Sequence, residues 1–148
     1  MIVQKANLSH LDDLATLFDA YRVFYGKYTN IPAAKQFLTA RMHQEESIIY
    51  VAEDPNYAVV GFVQLYPLFS STRMQKLWLL NDLYVRPSSR GNGISIQLID
   101  AAKKLVYETQ ACGLILETEI SNTIGNKLYP RAGFSLDQAT NHYFWNAI

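Results

Sequence analysis

Apolar residues recur along the chain with two different periods, and the switches between them outline the elements. Ile2 to Ala6 can form a short strand. Ser9 and Asp12 have capping-box spacing, with Asp where Glu or Gln is usual. Leu14, Leu17, Phe18, Tyr21, Phe24 and Tyr25 then follow helical spacing up to Gly26. Pro32, a favourable first-turn residue, opens a second helix to about His43, with Phe37, Leu38 and Met42 on one face. The β-branched and aromatic runs 47–53 and 59–66 flank Asp54-Pro55-Asn56-Tyr57 and predict a hairpin. Residues 67–75 are polar and Ser-rich, which predicts a loop into a strand over 76–85. Ile94, Leu98, Ala101, Ala102 and Leu105 place a long helix from about Gly93 to Gln110, and Gly113 stops the run. A strand over 113–119, a helix from Ser121-Asn122 to about Arg131, a strand after Gly133-Phe134 and a last strand over 142–147 complete the chain. The order β-α-α-β-β-β-α-β-α-β-β predicts an α/β (α+β mixed) fold: a mixed sheet of six to seven strands with helices on both faces.

A chain of 148 residues without linker, repeat or low-complexity segment is expected to be a single domain over 1–148. Thirteen basic residues balance thirteen acidic ones, so no nucleic-acid partner or anionic membrane surface is expected. Cys112 is alone, which excludes an internal disulfide, and no Cys/His cluster offers a metal site. The N-terminus lacks a signal-peptide pattern and no apolar run approaches membrane length, so a cytoplasmic location is the expectation. His10, His43 and His142 are scattered and read as surface or packing residues. Tyr143, Phe144 and Trp145 exceed what a solvent-facing edge would carry, which suggests core or a dimer contact.

The stretch between the strand ending at Val85 and the helix after Gly93 carries the chemistry. Pro87-Ser88-Ser89 breaks the ladder, and the glycine-bearing turn Arg90-Gly91-Asn92-Gly93 leads into a helix N-terminus. The first N–H groups of a helix lack internal partners, and its dipole adds partial positive charge there. Gly91 and Gly93 permit close approach of a phosphate, and Arg90 offers a charged planar fork. A pyrophosphate is the expected ligand. A P-loop would need Gly-Lys-Ser/Thr, and a dinucleotide fingerprint a third glycine where Ile96 stands.

Arg90, Gly93 and Ser95, after a strand ending Leu-Tyr-Val-x-Pro, form Arg-x-x-Gly-x-small, which resembles the acetyl-CoA motif of the GCN5-related N-acetyltransferases (GNAT family). Ser95 departs mildly from the usual Gly or Ala. The run Asn122-Thr-Ile-Gly-Asn-Lys-Leu-Tyr129-Pro-Arg-Ala-Gly-Phe134 is similar to the family's second signature, with Gly125 in an Ala position. The resemblance covers nearly the whole chain and implies the GNAT-type fold, in which the strands ending at Val85 and Thr118 splay apart around the pantetheine arm. It implies acetyl-CoA as cofactor, held by Leu83, Tyr84, Val85, Arg90, Gly91, Asn92, Gly93, Ile94, Ser95, Asn122 and Tyr129. Asn122 resembles the residue bonded to the pantetheine arm, and Tyr129 the tyrosine beside the sulfur.

Acyl transfer to an amine needs donors for a developing oxyanion, and backbone N–H groups around Leu83 to Val85 can serve. Tyr129 is the candidate acid for the departing thiolate. The amine must also lose a proton to a base. Asp82 and Glu117 are candidates beside a water-relayed or absent base; Asn81 stands where polyamine acetyltransferases of the family often carry a carboxylate. Alternation puts Asp82 and Tyr84 on the face opposite Asn81 and Leu83 unless a bulge intervenes. Tyr21, Arg22, Phe24, Tyr25 and Tyr28 fall where the family's acceptor wall lies. With Asp82 they would suit a cationic amine, or they are simply a helix's core face. The expected activity is direct, metal-free N-acetylation of a small primary amine (a polyamine, amino acid or amino sugar) by a homodimer. The alternatives are a protein lysine or N-terminal acetyltransferase and a non-catalytic acyl-CoA-binding regulatory module.

Overall fold

Five strands form one sheet in chain order: β1 (Ile2–Lys5), β2 (Ile48–Glu53), β3 (Val59–Ser70), β4 (Gln75–Val85) and β5 (Leu114–Ile115). The first three pairings are antiparallel and β4–β5 is parallel. The helices are α1 (Leu11–Phe24), α2 (Ile31–His43), α3 (Ile94–Glu108) and α4 (Thr123–Arg131). This computed structural model describes all 148 residues, and the chain divides into two compact units, Met1–Glu117 and Thr118–Ile148.

In the first unit the alternation of β3 shows which helix covers which face. Phe62 packs its ring against Phe18 and Tyr21 of α1. Its neighbour Gly61 faces α3, where an added Cβ would lie 3.3 Å from Ile94 and Leu98 and 3.2 Å from the Tyr84 carbonyl. A glycine there lets α3 settle closely on the sheet. Leu14, Leu38, Val51 and Phe62 form the core on the α1/α2 side; Leu98, Ile99 and Ala102 are buried on α3. Helices on both faces of a mixed sheet match the expectation from the pattern.

Several boundaries differ. Neither Ser9 nor Asp12 caps α1: a 3-10 turn over Leu8–His10 precedes it, and that turn is capped by Asn7, whose Oδ1 accepts from the Ser9 N–H at 2.9 Å while His10 Nδ1 accepts from the Asn7 N–H at 2.9 Å. His10 is a buried packing residue, with Nε2 3.2 Å from Glu53 Oε1. β3 runs on to Ser70 through Pro67, where a loop was expected. Trp78 opposite Pro67 turns its N–H to β5, so Pro67 is not in a hydrogen-bonded pair and its missing N–H faces the side that β2 does not reach. The sheet has five strands, not six to seven. β5 covers only Leu114–Ile115, and neither the segment after Phe134 nor 142–147 enters a ladder. Tyr143, Phe144 and Trp145 are not core: they are 92%, 91% and 85% exposed.

The turn between α1 and α2 hangs from one buried carboxylate. Asp19 accepts from Thr29 Oγ1 and from the Asn30 N–H, both at 2.6 Å, and Asn30 in turn caps α2 through Ala33. Asp19→Ala removes both charge-assisted bonds. It is expected to cost about 1–3 kcal/mol in urea unfolding and to open residues 25–30 to proteolysis before the sheet unfolds.

Candidate active site

A bulge in β4 decides what this site can be. Gln64 of β3 pairs with Asp82 and Leu65 with Leu80, leaving Asn81 as an extra residue. On the near side of the bulge, Trp78 points to the α3 face and donates from Nε1 to Thr109 Oγ1 at 2.9 Å, while its backbone N–H bonds Gly113 of the β5 side. Beyond it both directions reverse. Tyr84 now packs on α1 rings, and the Arg86 N–H bonds the Val60 carbonyl at 2.8 Å. By alternation the N–H groups of Leu83 and Val85 face the edge where β5 has already ended. The strands pair only at Trp78–Leu114 and Leu79–Ile115, so β4 continues to Val85 without β5 beside it.

Asp82 is buried on the α1 face. Its Oδ2 accepts from Gln64 Nε2 at 2.8 Å and its Oδ1 from Asn81 Nδ2 at 3.1 Å, and Tyr21 also bonds it. Gln64 is fully buried, and its amide is oriented by Ser47, whose hydroxyl donates to Gln64 Oε1 at 2.9 Å. Burial pushes the Asp82 carboxyl above its ordinary value, and the Gln64, Asn81 and Tyr21 bonds only partly oppose this. Tyr66 lies within its field: burial first, then the Asp82 charge, pushes that phenol up to about 12. Gln64, Ser47 and Tyr66 were not singled out from the sequence, although a glutamine inside the apolar run 59–65 was a visible signal.

Around Asp82 stand the expected aromatic residues. Tyr21 contacts Tyr84 at 6.0 Å and Tyr25 at 5.0 Å between ring centroids, and Phe24 contacts Tyr25 at 5.2 Å and Tyr84 at 6.5 Å. Tyr21 belongs partly to the core, against Phe18 and Phe62. Phe24 and Tyr25 stay 61% and 40% exposed, so they present ring faces outward. Tyr28, at 95% exposure, projects from the turn. The structure therefore brings Asp82, Tyr21, Tyr84, Phe24 and Tyr25 together. Glu117 lies two residues beyond β5 and is exposed.

The loop after β4 is shaped by its glycines. Gly91 and Gly93 have φ of +82° and +74°, a region other residues enter only with strain. Gly93 is the N-cap of α3 with no side-chain cap, and the first bond inside the helix is Gln97 N–H to the Gly93 carbonyl at 3.2 Å. The N–H groups of Ile94, Ser95 and Ile96 thus have no partner within the helix. Arg90 is partly committed to the chain: Nε donates to the Val85 carbonyl at 2.8 Å and the guanidinium lies 5.3 Å from the Tyr84 ring centre. Asn92 Nδ2 donates to the Ser89 carbonyl at 3.1 Å and holds the turn. This cradle of backbone donors beside an arginine fits a pyrophosphate.

In the second unit, Asn122 is the N-cap of α4. Its Oδ1 accepts from the Gly125 N–H at 3.1 Å and its Nδ2 donates to Thr118 Oγ1 at 2.9 Å. A Cβ on Gly125 would lie 2.6 Å from Asn122 Nδ2, so an alanine there requires the Asn122 amide to shift. Tyr129 is half-buried on α4, edge-on to Phe134 at 5.8 Å.

The sequence profile of the acetyltransferase (GNAT) family matches residues 14–134. The chain belongs to the GNAT family. It is 38% identical to the uncharacterized N-acetyltransferase YhfO of Bacillus subtilis (strain 168), over 99% of this chain and 97% of that one. A solved structure of a probable acetyltransferase, 36% identical, covers 100% of this chain and 99% of its own with a TM-score of 0.95. An aminoglycoside N-acetyltransferase crystallised with CoA shares the fold at 18% identity and a TM-score of 0.82, with 99% and 95% of the two chains covered. The GNAT fold is thus confirmed with a five-strand sheet, and the chain is a GNAT-family N-acetyltransferase.

The raised affinity of Asp82 for a proton can be measured directly. Carboxyl-carbon NMR should place its midpoint above that of exposed aspartates. In Gln64→Leu, which removes a bond favouring the ionised form, the midpoint should move higher still.

Proposed function

We propose that this acetyltransferase moves an acetyl group from acetyl-CoA directly to a small primary amine such as a polyamine, amino acid or amino sugar. It does so within a single domain over 1–148, as a cytoplasmic homodimer. The observation that carries this reading is the buried Asp82 carboxylate bonded by Tyr21, whose ring packs on Tyr84 with Phe24 beside it, on the strand that outruns β5. Aromatic faces around one carboxylate attract a cationic amine.

The cradle of Gly91, Asn92, Gly93, Ile94 and Ser95 with Arg90 suits the pyrophosphate of acetyl-CoA, which supplies the activated acyl group when bound. Leu83 and Val85 offer N–H donors at the open edge of β4, suited to an oxygen that gains negative charge. Asp82, whose carboxyl is held above its ordinary range, takes the proton that the amine must lose. Glu117, exposed beyond β5, is the second candidate for this task. Tyr129 holds a phenolic proton for the leaving group, and Asn122 offers its amide to the cofactor's arm. The exposure of Phe24, Tyr25 and Tyr28 favours one other acceptor, the amine of a lysine or N-terminus on a protein, because an open wall admits a chain.

Thiol release from acetyl-CoA against a panel of amines and peptides tests the assignment. Turnover with a small amine should fall about a hundredfold or more in Tyr129→Phe while cofactor binding survives. Arg90→Ala should instead raise the KM for acetyl-CoA. Turnover confined to peptides selects the protein substrate. Binding of acetyl-CoA with no acceptor at all makes the chain a non-catalytic acyl-CoA module.

A further inference from the structure

The face of the sheet that carries Asp82 continues past it toward the β3–β4 turn. The extra residue of the bulge lies in β4, so the alternation of β3 is unbroken: Phe62, Gln64, Tyr66 and Leu68 share the α1 side. Tyr66 is thus one step beyond the Gln64 that holds Asp82, and its partner on β4 is Leu79. Tyr66 is half-buried, and its hydroxyl makes no hydrogen bond within the chain. The charges of Asp82, Arg41 and Glu46 all reach this phenol.

Arg41 and Glu46 come to the same place from the end of α2. The Glu46 N–H bonds the Arg41 carbonyl at 2.9 Å, which closes the turn into β2. Ser47 follows directly and bonds Gln64, so the turn is fastened to the strand that carries Tyr66. The guanidinium is held from two sides: its carbon lies 4.6 Å from the centre of the Phe37 ring, and Nε donates to Glu46 Oε1 at 3.0 Å. Neither Nη group is bonded within the chain. A fork fixed at Nε and over a ring has little freedom left to lose when its remaining donors meet an oxyanion. The Tyr66 hydroxyl and the Arg41 Nη groups are therefore unspent donors on the face that also holds the Asp82 carboxylate.

We propose that Tyr66 and Arg41 form a carboxylate subsite for the acceptor, so that the amine acetylated here belongs to an amino acid or another amino carboxylate rather than to a polyamine. The inference rests on the small-amine reading and narrows it. Consecutive side chains on one face of a strand are about 7 Å apart, so a carboxylate at Tyr66 and Arg41 leaves the amine several bonds away, toward Asp82. Leu68 and Leu79, on the same face, offer apolar surface to the methylenes between them. The charges also set the direction of binding. Asp82 attracts an ammonium and repels a carboxylate, whereas a second ammonium would meet Arg41, whose Glu46 partner is already engaged.

Thiol release from acetyl-CoA tests this with β-alanine, γ-aminobutyrate and lysine, each beside its own carboxamide, and with putrescine. At least one acid should exceed its carboxamide by about tenfold or more in kcat/KM, with most of the difference in KM. In Arg41→Gln that ratio should fall to near one, and in Tyr66→Phe by roughly threefold. The ratio is internal to each variant, so a damaged fold, which lowers both substrates alike, does not imitate the result. Putrescine or the carboxamides used as well as the acids overturns the subsite, as does a preference that survives Arg41→Gln. If no small amine is turned over, the small-amine reading falls by itself and binding decides the subsite. The Arg41 Nε–H resonance in nitrogen-edited NMR should then move saturably with γ-aminobutyrate and not with its carboxamide. A resonance that stays in place with all three acids overturns the subsite.

Discussion

One inserted residue, Asn81, sets the polarity of the whole site. A regular β4 would carry the parity of Trp78 and Leu80 through to its end, sending Asp82 and Tyr84 under α3 and turning their N–H groups toward β5. The bulge reverses both at once. The carboxylate and the tyrosine ring pass to the side of α1, and the N–H groups of Leu83 and Val85 pass to the open edge. Side-chain chemistry and backbone donors are thereby placed at the same end of one strand, yet aimed in different directions.

Two other features depend on that arrangement. The β4–β5 ladder ends after two pairs, so the donors created beyond the bulge are not consumed by sheet pairing. The arginine that follows is anchored to the strand end by its own bond to Val85 and by the Tyr84 ring, which ties the anion-binding turn to the same strand. Below Asp82, the Ser47–Gln64 pair fixes an amide that has no rotational alternative, since Ser47 already bonds its oxygen. A buried carboxylate with several donors is ordered without a counter-charge in contact. That keeps it ionisable, at the cost of a raised proton affinity.

Much of this was legible in residue spacing. The apolar stripe of α1, the long α3 and the glycine turn between β4 and α3 all have local causes, and local causes leave local traces. The bulge has none: Leu-Leu-Asn-Asp-Leu-Tyr reads as uninterrupted strand, and only the register with β3 exposes the extra residue. Asp19 was equally hidden, because its role depends on a turn ten residues away. The two strands expected near the C-terminus failed for a related reason. Aromatic residues signal a preference for pairing, but a ladder also needs a partner strand in register, and spacing along the chain does not reveal one.

The fit of Asn122 over Gly125 bears on how this sequence could drift. An alanine at 125 would strengthen the helix locally, yet it occupies the place of the Asn122 amide. The capping residue would have to shift its amide, which bears on its bonds to the Gly125 N–H and to Thr118. The two positions are therefore epistatic: a change at one alters which residues are tolerated at the other.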